Sequence, residues 1–183
     1  MSTTRNWLLR DPNEIAARER ALIAAEARLD HLPDWLHEAA VALILASGMV
    51  DLPNRLAWSP DLGERLQAAL AAGAPVFCDS PALAVALERH TITKRPETGA
   101  IALIGTDALA LADLLARVRR GEGRPAAVIA LPAGLVNAAE AKAALAAAPM
   151  GLAYLTLRGR RGGAGLAAAA FTALAGTGPC AGG

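Results

Sequence analysis

Three guanidiniums and three glycines share the six residues Arg158-Gly159-Arg160-Arg161-Gly162-Gly163, which follow directly on the apolar run Ala153 to Leu157. A planar guanidinium fork matches a carboxylate or phosphate with two parallel hydrogen bonds, and glycine lets backbone amides come close to a ligand. The chemistry this pattern suits is capture of a polyanion at the end of a strand. A second polar group, Asn137, Glu140 and Lys142, opens a helical stretch directly after the turn Pro132-Ala133-Gly134. A third follows an apolar run at Cys78-Asp79-Ser80, and a fourth reads Gly105-Thr106-Asp107.

These groups need a scaffold that brings them to one edge. From Leu56 onward, short apolar runs alternate with alanine-rich helical stretches, the pattern of βαβ units around a mostly parallel sheet. Strands are expected at Ala74 to Asp79, Ala100 to Gly105, Ala126 to Leu131 and Ala153 to Leu157, with Leu56 to Ser59 a weaker fifth. Helices are expected at Leu62 to Ala72, Pro81 to Arg89, Ala108 to Arg120, Ala138 to Ala148 and Ala164 to Leu174. Before them, Asp11-Pro12 reads as a cap and first helical proline, giving a helix over about Asn13 to Asp30. A second helix runs from Pro33 towards Ala46 and breaks at Ser47-Gly48. In such a sheet ligands collect beyond the carboxyl ends of the strands. All four polar groups fall there.

Composition narrows the function classes. At 183 residues the chain fits one domain, over 1–176 with a helical pair at about 13–46 and a flexible tail at 177–183. The hydrophobic share is 54%, mostly alanine, and the longest charge-free apolar run, Ala39 to Val50, is far short of the roughly 20 residues of a membrane span. No membrane association is expected. The first residues carry no apolar signal core, so a cytoplasmic protein is expected. Eighteen Lys and Arg stand against seventeen Asp and Glu, and aromatic residues are 3%, which argues against nucleic-acid binding. Two cysteines, Cys78 and Cys180, make a structural disulfide or zinc site improbable. Cys78 reads as a small buried hydrophobe. His31 and His37 read as surface residues, and so does His90, whose place in the short segment Glu88 to Gly99 offers the alternative of swinging into the site. Gly105-Thr106-Asp107 lacks the glycine spacing and lysine of a nucleotide loop.

Taken in order, the segments Asp11-Pro12-x-x-Ile15, Ser47-Gly48-Met49-Val50-Asp51-Leu52, Ser59-Pro60 and Gly73-Ala74-Pro75-Val76-Phe77-Cys78-Asp79 carry a family likeness. It continues through Arg124-Pro125-Ala126, Leu131 to Lys142 and Arg158 to Gly163. In these the chain resembles the precorrin-8X methylmutases, isomerases of cobalamin biosynthesis, over nearly its whole length except Glu88 to Gly99. The resemblance implies a three-layer α/β/α fold with a mostly parallel sheet of about four to five strands and one βα unit shortened. It implies a homodimer that binds a corrin-type tetrapyrrole, precorrin-8X or its product hydrogenobyrinate, and moves a methyl group between adjacent ring carbons. That sigmatropic shift needs no metal and no organic cofactor.

Carried onto this sequence, the implied substrate-binding residues are Ser47, Gly48, Asp79, Gly134, Asn137, Glu140, Lys142, Arg158, Gly159, Arg160, Gly162 and Gly163. The family's catalytic histidine falls on Leu45, and its arginine three residues earlier falls on Ala42. A leucine cannot transfer a proton, so no catalytic acid is assigned. Three readings follow: an isomerase that works by shape and arginine electrostatics, an inactive paralogue that binds a tetrapyrrole, and a dimerising partner that lends a rim to another subunit.

Overall fold

Asp11 accepts a hydrogen bond from the Asn13 amide at 2.8 Å and Pro12 takes the first helical position, so α1 (Pro12–Glu26) starts where its cap dictates. The structure is a computed structural model that describes residues 8–87 and 89–176. The tail expected to be flexible, 177–183, and Cys180 within it lie outside the described residues. α1 ends at Glu26, four residues before the expected Asp30, because the chain turns to bury Leu32 ahead of Pro33. α2 (Asp34–Ser47) ends on Gly48, whose φ of +68° is the left-handed conformation glycine adopts without strain. A 3-10 turn, Leu52–Arg55, then leads into β1 (Leu56–Trp58).

The alternation that follows is α3 (Leu62–Ala71), β2 (Val76–Cys78), α4 (Pro81–Val85), β3 (Ile92–Thr93), β4 (Ile101–Ile104), α5 (Ala108–Arg119), β5 (Ala127–Ala130), α6 (Ala138–Ala147), β6 (Tyr154–Leu157) and α7 (Ala164–Gly176). The strands form one sheet in the order β1-β6-β5-β4-β2-β3, parallel throughout except for β1, which runs antiparallel to β6. The sheet therefore has six strands where four to five were expected. The added strand is β3, two residues long, which survives inside the shortened segment because Thr91 and Thr93 extend beside β2. No helix joins β3 to β4; residues 94–100 cross directly. α4 is a single five-residue turn, stopping well before Arg89, because the chain must bend back to lay β3 on the sheet edge.

Side-chain alternation along the strands builds two cores. Leu103, Ile129, Leu155 and Leu157 face α2, α3, α4 and α7, where Leu36, Leu43, Leu66 and Phe171 are fully or almost fully buried. Ala102, Ile104, Val128 and Tyr154 face α5 and α6, against Leu111, Leu114 and Leu145. Each buried leucine contributes about 1.5–3 kcal/mol relative to exposure. α1 stands apart from this arrangement: only Ile23 of it is buried, and Ile15 and Leu22 are exposed.

Candidate functional site

The carboxyl ends of β2, β4, β5 and β6 lie side by side, and the antiparallel β1 begins at the same edge, so the 3-10 turn joins it too. Asp79, Gly105, Leu131 and Arg158 thus share one rim. α2 ends at this rim, since it leads through Asp51 into the 3-10 turn, and α7 begins there.

The arginine loop 158–163 is tied to its surroundings from several directions. Gly134 donates its amide to the Arg160 carbonyl at 3.1 Å, Gly163 donates to the Leu131 carbonyl at 2.7 Å, and Arg158 donates to the Arg55 carbonyl at 2.8 Å. From beneath, Lys142 donates its ammonium to the Arg161 carbonyl at 2.5 Å. Gly162 lies so close to the Leu131 carbonyl that any Cβ there would overlap the oxygen. The loop therefore requires glycine at that position.

Its three guanidiniums do not converge. Arg161 donates from one nitrogen to both carboxylate oxygens of Asp51 at 2.7 Å, and this pairing, reinforced by Arg55, holds the Asp51 carboxyl below its ordinary value. Arg158 continues the Tyr154-Thr156 face of β6, on the α5 and α6 side of the sheet, and lines grooves against β1 and against α6. Arg160 is exposed, and its side chain has no hydrogen-bond or ion-pair partner among the described residues. Arg161 is thus already paired with Asp51, while Arg158 and Arg160, the two arginines implied as substrate-binding, make no ion pair.

The other predicted residues divide in the same way. Lys142 is only 1% exposed, and burial pushes its ammonium down to about 8, so it supports the arginine loop from below. Asp79 accepts hydrogen bonds from the amides of Gly105, Thr106 and Asp107 at 3.1, 2.7 and 2.6 Å, and from the Thr106 hydroxyl at 3.0 Å. It shapes the β4–α5 turn. Ser47 donates its hydroxyl to the Leu43 carbonyl at 2.7 Å and accepts from the Met49 amide at 3.1 Å, closing the end of α2 beside Gly48. These three side chains position the rim.

Asn137, Glu140 and Gly134 are the residues left open. Asn137 has φ of +66°, a conformation asparagine tolerates better than most residues, and its side chain does not cap α6. Just before it, Leu135 and Val136 are 78% and 75% exposed. Leu45, at the rim end of α2, is 49% exposed. Apolar side chains thus stand in solvent around free guanidinium, amide and glycine groups.

Two sequence features were given no role and have one here. Asp51, inside the Ser47–Leu52 motif, is the partner of Arg161. Tyr154 shares a strand face with Arg158, which period-two alternation from Arg158 back through Thr156 would have shown. His90 packs edge-on against Phe171, centroids 5.2 Å apart, about two turns along α7 from the rim, so it does not replace the missing imidazole. Cys78 is half-buried, and burial with the neighbouring Asp79 charge pushes its thiol up to about 11, far from a reactive thiolate. Among the described residues no group of three or more His, Cys, Asp or Glu is placed to hold a metal, and no helix is long and apolar enough to cross a membrane.

A family model described as precorrin-8X methylmutase matches residues 14–98 and 91–177, two stretches that meet at the shortened segment. The precorrin-8X methylmutase of Pseudomonas aeruginosa is 36% identical over 200 residues, covering 91% of this chain and 96% of its own length. That of Sinorhizobium sp is 32% identical over 200 residues, covering 91% and 95%. Both alignments exceed the 183 residues of this chain, so the relatives carry residues it lacks. The solved precorrin-8X methylmutase of Thermus thermophilus superposes with a TM-score of 0.78 at 24% identity, covering 92% of this chain and all of that one, and shares its fold. With its six-stranded α/β/α sheet and its motifs in matching order, this chain belongs to the precorrin-8X methylmutase family.

Proposed function

We propose that the rim binds precorrin-8X and promotes its methyl migration, in the cobalamin pathway that the family serves. The observation that carries this reading is the combination at the rim: unpaired guanidiniums on Arg158 and Arg160, the open amide of Asn137, and exposed Leu135, Val136 and Leu45. A corrin-type macrocycle is an apolar ring edged with carboxylate arms, and this surface offers apolar contact bordered by cationic forks. Gly134, Gly159 and Gly163 let the backbone approach the ring, and Glu140 borders the same helix start. Lys142, Asp79, Ser47, Gly48 and Gly162 act indirectly by holding the rim in shape.

The chemical step asks for orientation, exclusion of water and charge stabilisation in the rearranging ring system. Arginine remains protonated through any such step, so it stabilises charge without transferring a proton. With leucine at position 45, the contribution of a general acid, about 10²- to 10⁴-fold, is absent. Turnover slower than that of a histidine-bearing relative by about this factor is expected. The protein is proposed to work as a homodimer, which the exposed Leu8, Leu9, Ile15 and Leu22 on and before α1 support.

The test is to mix the pure protein with precorrin-8X and follow the visible spectrum. Slow conversion to the hydrogenobyrinate chromophore supports an isomerase. A stoichiometric spectral shift without conversion would replace it with a tetrapyrrole-binding protein, and an unchanged spectrum would overturn both. Leu45→His is expected to raise the rate without reaching that of relatives, because Ala42 and the shortened segment remain; wild-type-like family rates in that variant would refute this.

A further inference from the structure

Tyr154 is 6% exposed, and its backbone is satisfied: its amide donates to the Ser59 hydroxyl at 2.9 Å and its carbonyl accepts from the Ser59 amide at 2.9 Å. Its phenolic hydroxyl has no hydrogen-bond partner among the described residues. The neighbouring hydroxyl on the same strand face, Thr156, does have one, donating to the Ala130 carbonyl at 2.6 Å. Every fully buried side-chain polar atom among the described residues has a partner, so the Tyr154 hydroxyl opens onto a cavity.

That cavity has a volume of about 280 Å³ and lies across β1 and β6, lined by His31, Asn54, Ala57, Trp58, Tyr154 and Arg158 among others. Among the described residues no acidic one lines it. Arg158 is exposed, makes no ion pair, and its charge acts on the Tyr154 hydroxyl, which burial otherwise pushes above its ordinary value. His31 donates its Nε2–H to the Pro53 carbonyl at 3.3 Å. Asn54 adds a side-chain amide. We propose that this cavity is a carboxylate-binding site in which the Tyr154 hydroxyl and the Arg158 guanidinium hold the two oxygens, with Trp58 and Ala57 against the attached aliphatic chain.

A single cation with neutral donors suits a monoanionic carboxylate better than a phosphate dianion, which would leave a charge unpaired. The carboxylate has two possible sources, an arm of a macrocycle lying on the rim, which Arg158 borders, or a separate small aliphatic acid. The site stands on Tyr154 and Arg158 and does not depend on turnover of precorrin-8X.

The experiment is a titration of the ¹⁵N-labelled protein with sodium propionate, read at the Arg158 side-chain Nε–H, the Trp58 indole and the Ala57 amide. Saturable shifts with a Kd on the order of millimolar are expected for so small a ligand. Tyr154→Phe, which keeps the packed ring, should weaken binding by about five- to tenfold. Arg158→Gln should abolish saturation, while Arg89→Gln, which removes an exposed cation elsewhere, should not change it. Competition by hydrogenobyrinate would identify the carboxylate as an arm of the macrocycle; propionate binding unaffected by it would identify a separate small acid. Shifts that fail to saturate, or equal affinity in Tyr154→Phe with an otherwise unchanged amide spectrum, would overturn the site.

Discussion

The two ends of one sheet are built to different standards. At the β6 end, the loop 158–163 is fastened by backbone bonds to Leu131, Gly134 and Arg55, by the buried ammonium of Lys142, and by the Asp51 carboxylate on Arg161. At the β3 end, a two-residue strand with an exposed Ile92 forms the edge, and no helix covers the α5 side. There a groove of about 500 Å³ remains over Phe77, bordered by Arg95, Leu114 and Arg117. Asp79 lies between the two, fixing the β4–α5 turn. Order is thus concentrated around the arginine loop, and it fades toward the β3 edge. A loop that presents charged groups must be held by contacts that do not use those groups; here buried Lys142 and the crowded Gly162 do the holding while Arg158 and Arg160 stay available.

The sharpest way to break this contrast is Gly162→Ala. A methyl group overlapping the Leu131 carbonyl forces the loop off β5, and a loss of about 3 kcal/mol is expected in urea unfolding. An unchanged midpoint would mean that the loop is not locked. Asp79→Ala removes the acceptor of three amides and a hydroxyl, two of the amides with access to water, and should cost about 2 kcal/mol. Rapid hydrogen exchange of the Gly105 and Thr106 amides would accompany it.

Lys142→Met separates packing from charge. At neutral pH it should destabilise by only about 1 kcal/mol, because losing the bond to Arg161 is offset by removing a buried charge. The distinguishing readout is the pH profile. Burial lowers this ammonium from 10.5 to about 8, so between those values the unfolded chain binds the extra proton, and the stability of the native protein rises with pH across that window. The variant should lack this rise; a profile identical to wild type would remove Lys142 as its source. The smallest effect is expected at the other end of the sheet, where Ile92→Lys should change stability by less than about 0.5 kcal/mol. A loss comparable to that of Asp79→Ala would show that the β3 edge is as constrained as the β6 end.

The helices and strands were legible to within a few residues wherever hydrophobic period and caps agreed, as at Asp11-Pro12, Ser47-Gly48 and the four central strands. β3 was not assigned as a strand, because two residues carry no period. α4 was overestimated, because the apolar run Pro81 to Leu87 reads as helix while the need to turn toward β3 decides its length. Around the site, the glycines and arginines were visible as a motif, but their directions were not. Nothing in the spacing of Arg158, Arg160 and Arg161 says that one meets Asp51, more than a hundred residues away, or that another faces Tyr154.

By its sequence alone this chain determined its class of fold and the set of polar groups that gather at one edge, because periodicity, caps and the order of strands and helices are local properties. Which of those groups are already engaged by the protein and which are left open was decided only by tertiary structure. Burial fixed Lys142 beneath the arginine loop, backbone amides of the β4–α5 turn engaged Asp79, and proximity neutralised Arg161 while leaving Arg158, Arg160 and the Tyr154 hydroxyl unpaired. The free energy of a charged or hydroxyl group depends on its surroundings in space, and those surroundings come from distant parts of the chain.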